Sequence, residues 1–203
     1  MAVKSNLTNM VLVLGLVCLI CSALLGGAFV LTEKPIEDAK DARTQKAVSE
    51  VLPSFKEVVY NDKMHYYTAK DGDKLVGYAI ESTVMGFGGP LSLMVGITPD
   101  GVVYNTSVLF HTETPGLGAK CKTDSAFIKQ WKNFDPAVKK LLVGQDGGDV
   151  DAITASTITS RAYTAAVENA LKVFKEIAGQ AGNDENVMPD PDRASNEGGQ
   201  DNE

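Results

Sequence analysis

Polar and apolar positions divide the chain into four regimes. From Ser5 to Thr32 there is no charged residue, and Met10–Leu31 is a run of 22 residues that is apolar but for Ser22. A helix of that length matches the hydrocarbon core of a bilayer. Residues 36–52 then show sparse apolar positions (Ile36, Ala39, Ala47, Val48, Val51), which predicts a polar helix ended by Pro53. A β region follows. Lys74–Ser82 is rich in β formers, and Leu91–Thr98 and Val102–Phe110 flank Pro99-Asp100-Gly101, which predicts a hairpin. Gly86-Phe87-Gly88-Gly89-Pro90 lies before it and must be a loop.

The second half changes period. Phe127, Ile128, Trp131 and Phe134 recur at three- and four-residue spacing behind Asp124, which predicts a capped helix over 124–134. Gly144–Asp149 reads as a turn, and Val150 and Ile153 suggest a brief strand. Tyr163, Ala166, Val167, Ala170, Leu171, Phe174 and Ile177 form a longer apolar stripe. It predicts a last helix from about Arg161 to Ala178, with Ser160 as a natural cap and Gly179 as its stop. The fold class expected is α+β: one N-terminal transmembrane helix, then a domain with an antiparallel sheet and flanking helices.

Charge sharpens the domain plan. The chain of 203 residues carries a formal charge of −7, and residues 183–203 hold seven acids against Arg193 alone, nearly the whole imbalance. That segment, with Pro189, Pro191 and few apolar residues, is expected to be disordered. No basic face of the kind nucleic acid requires is present in the sequence, and no nucleic-acid partner is expected. The expected division is a cytoplasmic N-terminus at 1–9, a transmembrane helix at 10–31, a linker helix at 32–53, a domain at 54–180 and an acidic tail at 181–203. Lys4 before the span and Glu33, Lys34, Glu37 and Asp38 after it favour the N-terminus inside and the domain outside. Cys18 and Cys21, spaced as Cys-x-x-Cys, share one face of the membrane helix and read as packing residues, with a redox or metal pair as the competing reading. Cys121 stands alone outside the membrane, so packing rather than a disulfide must hold the domain.

Two segments carry candidate chemistry. The first is Asp151-Ala-Ile-Thr-Ala-Ser-Thr-Ile-Thr-Ser160, a hydroxyl-rich run entering the last helix. A helix N-terminus presents unpaired N–H groups and partial positive charge, which is a phosphate site. Thr157, a few positions ahead of the expected helix, is placed to hold a phosphate, with Thr154, Ser156, Thr159 and Ser160 as supporting donors. The competing reading is simple helix capping. The second segment is His111-Thr-Glu-Thr-Pro-Gly-Leu-Gly118, an irregular loop whose backbone could approach a planar ligand. Glu113 and His111 would suit proton exchange with a redox ligand; the competing reading is a surface loop. His65 has no supporting context and reads as exposed. Two histidines and one cysteine outside the membrane run argue against a zinc site, and the sequence holds no phosphate-binding glycine loop and no nucleophile elbow.

In this order, the membrane helix, the Gly86–Pro90 loop, Glu113-Thr-Pro-Gly-Leu-Gly118 and the Ser/Thr run resemble the G subunit of the Rnf/Rsx-type ion-translocating electron transport complex. The C subunit of the sodium-translocating NADH:quinone reductase is a related family and the nearest alternative; a membrane-tethered binding or structural module without cofactor is the alternative of another class. The resemblance implies FMN held covalently through its phosphate to a threonine, attached from FAD by a flavin transferase outside the membrane. The family pattern is approximately Asp-x-x-Ser/Thr-Gly-Ala-Thr-x-Thr/Ser. Asp151, Thr154, Thr157 and Thr159 match it, which makes Thr157 the flavin acceptor. Ala155 stands where Gly is usual and Ser156 where Ala is usual; if that Gly needs a positive φ, Ala155 carries strain on the order of 1 kcal/mol. The implied cofactor contacts are Thr157, Thr154, Ser156, Thr159, Ser160, Glu113, Thr114, Gly116, Leu117 and Gly118, with Thr114–Gly118 against the flavin ring. No residue is implied as catalytic and no metal is implied. The implied role is an electron relay between ferredoxin and NAD among other membrane subunits in the inner (plasma) membrane, the domain being extracytoplasmic. The ion path is expected elsewhere, because the membrane run holds no ionisable side chain besides its cysteines.

Overall fold

A computed structural model describes residues 7–184, with side chains as far as Gly179. It divides into two units, Met1–Lys46 and Ala47–Glu203. The first consists of most of helix α1 (Leu7–Val51), a single helix of 45 residues that runs through Pro35. The separate linker helix expected at 32–53 is therefore a direct continuation of the apolar helix. The apolar stretch of α1 is exposed, and the helix is long and apolar enough to cross a bilayer.

The second unit is built on an antiparallel meander of five strands in the order β1 (Glu57–Asn61), β2 (Tyr66–Asp71), β3 (Lys74–Met85), β4 (Pro90–Ile97) and β5 (Val103–His111). The β4–β5 hairpin forms where Pro99-Asp100-Gly101 predicts it. Gly101 adopts φ 84°, and Thr98 and Val102 close the turn with a 2.9 Å hydrogen bond. Leu91, Leu93, Val95 and Ile97 of β4 alternate toward one face, where they are fully buried. Met94, Ala79 and Ala69 point to the other, beneath Ala47, Val48, Val51 and Leu52 at the end of α1.

Helices cover the first face. α4 (Thr157–Asp184) lies over β3 and β4 with Tyr163, Ala166, Val167, Ala170, Leu171, Phe174 and Ile177 buried, the stripe read from the sequence. It begins a turn earlier and ends later than expected. Ser160 is not the cap but lies inside α4, and the helix passes Gly179 to Asp184. The first four residues of the expected disordered tail are thus helical; the rest of it lies outside the described residues. The expected helix over 124–134 is also shorter. α2 (Lys120–Thr123) and α3 (Ser125–Lys129) are single turns, the latter capped by Asp124, whose Oδ1 accepts from Ala126 N at 2.9 Å. Asn133, at φ 53°, then turns the chain so that Phe134 exchanges two 2.9 Å backbone hydrogen bonds with Val103. Pairing at the sheet edge has displaced the helix, while Phe127, Trp131 and Phe134 stay in the core. The brief strand expected at Val150 and Ile153 is a single parallel bridge from Val150 to Val143.

Candidate functional site

The site is assembled from three loops that the meander brings to one end. The β3–β4 turn supplies Phe87, the segment after β5 supplies Glu113, Thr114, Leu117 and Gly118, and the start of α4 supplies Ala155, Ser156, Thr157, Ile158 and Thr159. Together they enclose a cavity of about 410 Å³, within the range of small-molecule and cofactor sites.

The helix start forms the polar wall. Ala155 has φ 62°, the left-handed conformation that the sequence pattern assigns to Gly. Its turn swings Ser156 into the cap position, where Ser156 O accepts from Ser160 N at 3.0 Å and Ser156 N donates to Ile153 O at 3.0 Å. Thr157 is accordingly the first residue of α4, not a residue ahead of it. The N–H groups of Thr157, Ile158 and Thr159 take no acceptor among the described residues. Nor do the hydroxyls of Ser156, Thr157 and Thr159 form a hydrogen bond there, although Thr159 is 1% exposed and Ser156 is 8% exposed. Buried polar groups ordinarily have partners. Three free N–H groups and three free hydroxyls at the positive end of a 28-residue helix form an anion cradle.

The other expected donors lie elsewhere. Thr154 is exposed and does not line the cavity. Ser160 is fully buried and occupied: its Oγ accepts from Ile153 N at 2.9 Å and donates to Ser156 O at 3.0 Å, tying the incoming loop to the helix. Gly116, at φ 79°, shapes the loop without lining the cavity.

Glu113 turns inward from a largely exposed loop. It is 5% exposed, and its carboxylate accepts from Phe87 N at 2.8 Å and from Gly88 N at 3.3 Å. Thr112 Oγ1 adds a 3.0 Å bond to Gly88 O, so the two loops are laced together. Gly118 is pressed against the same carboxylate and Thr159; a Cβ there would stand 2.7 Å from Thr159 Oγ1. His111 sits at the end of β5 opposite Leu91, outside the cavity lining, and its Nδ1 is buried with no partner among the described residues. His65 is exposed and its Nδ1 lies 2.8 Å from the Tyr60 hydroxyl. Cys121, fully buried behind the Glu113 loop, has its thiol pushed up to about 11 by burial and by the Glu113 charge.

The rest of the lining is apolar. Phe87, Leu117 and Ile158 are 69%, 45% and 52% exposed and form a rim suited to a planar aromatic ligand. Phe87 and Ile158 are site residues that the sequence motifs do not single out. The usable signal is a large apolar residue inside a glycine loop and another on the outer side of a helix's first turn.

Residues 86–172 match the model of the FMN-binding domain family. The cavity fits that cofactor by its donor set, since a cradle of free hydroxyls and N–H groups suits the phosphate and the apolar rim suits the ring. The G subunit of the proton-translocating ferredoxin:NAD(+) oxidoreductase complex of Clostridium ljungdahlii is 32% identical over 185 residues, covering 88% of this chain and 93% of that protein. The G subunit of the ion-translocating oxidoreductase complex of Pasteurella multocida is 33% identical over 192 residues, covering 82% and 93%. The crystal structure of Shewanella oneidensis NqrC superposes with a TM-score of 0.48 at 23% identity, covering 66% of this chain and 70% of that one. With the two G subunits aligned over more than four fifths of its length and an FMN-binding domain matched across the cavity residues, the chain belongs to the G-subunit family of Rnf-type ion-translocating oxidoreductase complexes.

Proposed function

We propose that this chain carries FMN through a phosphoester to the Thr157 hydroxyl and relays electrons between ferredoxin and NAD within a membrane complex. The observation that carries the attachment point is differential burial within the cradle. Ser156 and Thr159 are sunk below the surface, whereas Thr157 is half-buried and open to an incoming transferase. Thr157 then anchors the phosphate, the Ser156 and Thr159 hydroxyls and the first-turn N–H groups bind its oxygens, and the helix dipole offsets its charge. Phe87, Leu117 and Ile158 provide the apolar walls. FMN, once attached, supplies the one- and two-electron chemistry; the protein supplies position, burial and electrostatics.

α1 holds the domain at the inner membrane in contact with lipid and with other subunits of the complex. The charges flanking its apolar run support an extracytoplasmic domain, the side on which a flavin transferase would attach the cofactor from FAD.

The test is coexpression with a flavin transferase, followed by denaturing electrophoresis and in-gel flavin fluorescence. A fluorescent band in the wild type that is lost in Thr157→Ala supports the attachment; a dark wild-type band, or a variant as bright as wild type, overturns it. Alkaline phosphatase fused after Gly179 tests orientation, since it is active only when exported.

A further inference from the structure

The cavity contains a charged group that the electron-relay reading does not use. Glu113 is the one acidic residue buried among the described residues, and it lines the same space as the phosphate cradle and the apolar rim. Its two oxygens are spent on backbone rather than on another side chain: Phe87 N and Gly88 N both donate to them, from a loop 26 and 25 positions earlier in the chain. No Lys, Arg or His side chain forms an ion pair with it among the described residues. Gly86 and Gly118 pack so closely against the carboxylate that a Cβ at either would collide with it. The group is therefore mechanically fixed, and it faces amide dipoles from the Gly86–Pro90 loop and the first turn of α4 rather than a paired cation.

We infer that Glu113 is a positioning residue that holds the Gly86–Pro90 loop so that Phe87 walls the flavin cavity, and that its buried negative charge lowers the reduction potential of the flavin bound there. Reduction adds negative charge to the site, and a fixed anion in a poorly screened cavity opposes that addition. The first half rests only on the hydrogen bonds; the second rests on the flavin reading above.

Two measurements separate them. Amide hydrogen exchange is followed in the flavin-free full chain, carrying Thr157→Ala, in detergent. The Phe87 N–H is expected to exchange slowly although its side chain is exposed, and faster in Glu113→Gln and Glu113→Asp. Rapid exchange at Phe87 in the parent protein overturns the positioning role, with no variant needed. The flavin midpoint potential is then titrated in the loaded chain. It is expected to rise in Glu113→Gln, which removes the charge, and to rise less in Glu113→Asp, which keeps it. Equal potentials in wild type and Glu113→Gln overturn the tuning role. A wild type that takes up no flavin overturns the tuning role together with the flavin reading, and leaves the loop result standing by itself.

Discussion

The hydroxyls of Thr106 and Tyr163 lie 2.8 Å apart, joining β5 to α4 within the core. Thr106 is 4% exposed and Tyr163 is 1% exposed, and the Tyr163 ring stacks on Trp131 with centroids 5.1 Å apart. The bond fixes the rotation of α4 over the sheet, and hence where the cradle at its first turn faces. Tyr163→Phe leaves the Thr106 hydroxyl buried without that partner, and Thr106→Val does the same to Tyr163. Each is expected to lower stability by about 1–2 kcal/mol in urea unfolding. The double variant should lose less than the sum, because no orphan remains. Additive losses would show that the pair is not coupled.

Burial also gives the domain an alkaline limit. Cys121 is shifted from an ordinary 9.0 to about 11, and the Tyr163 hydroxyl is raised, chiefly by burial, against the weaker opposing effect of its bond to Thr106. A raised value means that the folded state holds its proton where the unfolded chain has released it. The Cys121 contribution is therefore whole below pH 9 and is lost as pH rises through 11. Stability measured by urea midpoint should fall across that window, and Cys121→Ala should fall less relative to its own value at pH 8. Alkylation of Cys121 in the folded protein at neutral pH should be slow, since the thiolate is scarce.

Ala155 offers a gain rather than a loss. A left-handed φ of 62° costs an L-residue with a Cβ roughly 1–2 kcal/mol, and Gly avoids that cost at the expense of about 0.4–1 kcal/mol of unfolded-state entropy. Ala155→Gly should stabilise the protein by about 0.5–1 kcal/mol while keeping flavin labelling. Ala155→Val should destabilise it by more than 1 kcal/mol, on the order expected for a β-branched residue forced into that region. Urea midpoints order the three proteins, and a Gly variant less stable than wild type would contradict the strain.

That position also shows what sequence can and cannot reveal. The family pattern marks residue 155 as a place for Gly, and the chain does turn left-handed there. The helix start is misplaced from sequence because Ser156 and Ser160 are both capping residues one turn apart, and propensity cannot choose between them. The choice is made by Ala155, which aims Ser156 at the helix, and by Ile153 N, which occupies Ser160. The Pro99-Asp100-Gly101 hairpin and the α4 stripe are legible because each is a local pattern with one dominant reading. β1 and β2 escape that reading, although Asp71-Gly72, with Gly72 at φ 64°, is a usable hairpin signal. The helix expected over 124–134 is too long because its apolar spacing is real, yet Phe134 serves a backbone pairing with Val103 that no local pattern encodes. Glu113 is marked by its motif, but its hydrogen bonds to Phe87 and Gly88 depend on the meander closing.

The two glycines of the second loop separate shape from space. At Gly116, with φ 79°, a Cβ would meet nothing within 4 Å, so Gly116→Ala adds backbone strain but fills no cavity. At Gly118 a Cβ would strike the Glu113 carboxylate and stand 2.7 Å from Thr159 Oγ1 and 2.9 Å from Glu113 Cβ. Neither neighbour can yield cheaply, since Glu113 is held by two amides and Thr159 is locked in the first turn of α4. Gly118→Ala should therefore cost about 1–3 kcal/mol as overpacking and push Thr159 out of the cradle. Covalent flavin labelling should be lost or sharply reduced in Gly118→Ala. Gly116→Ala should lose about 1 kcal/mol and still label. In-gel fluorescence normalised to protein, beside urea midpoints for both variants, checks the pair. Equal labelling of the two would mean that contact among Gly118, Glu113 and Thr159 does not shape the flavin site.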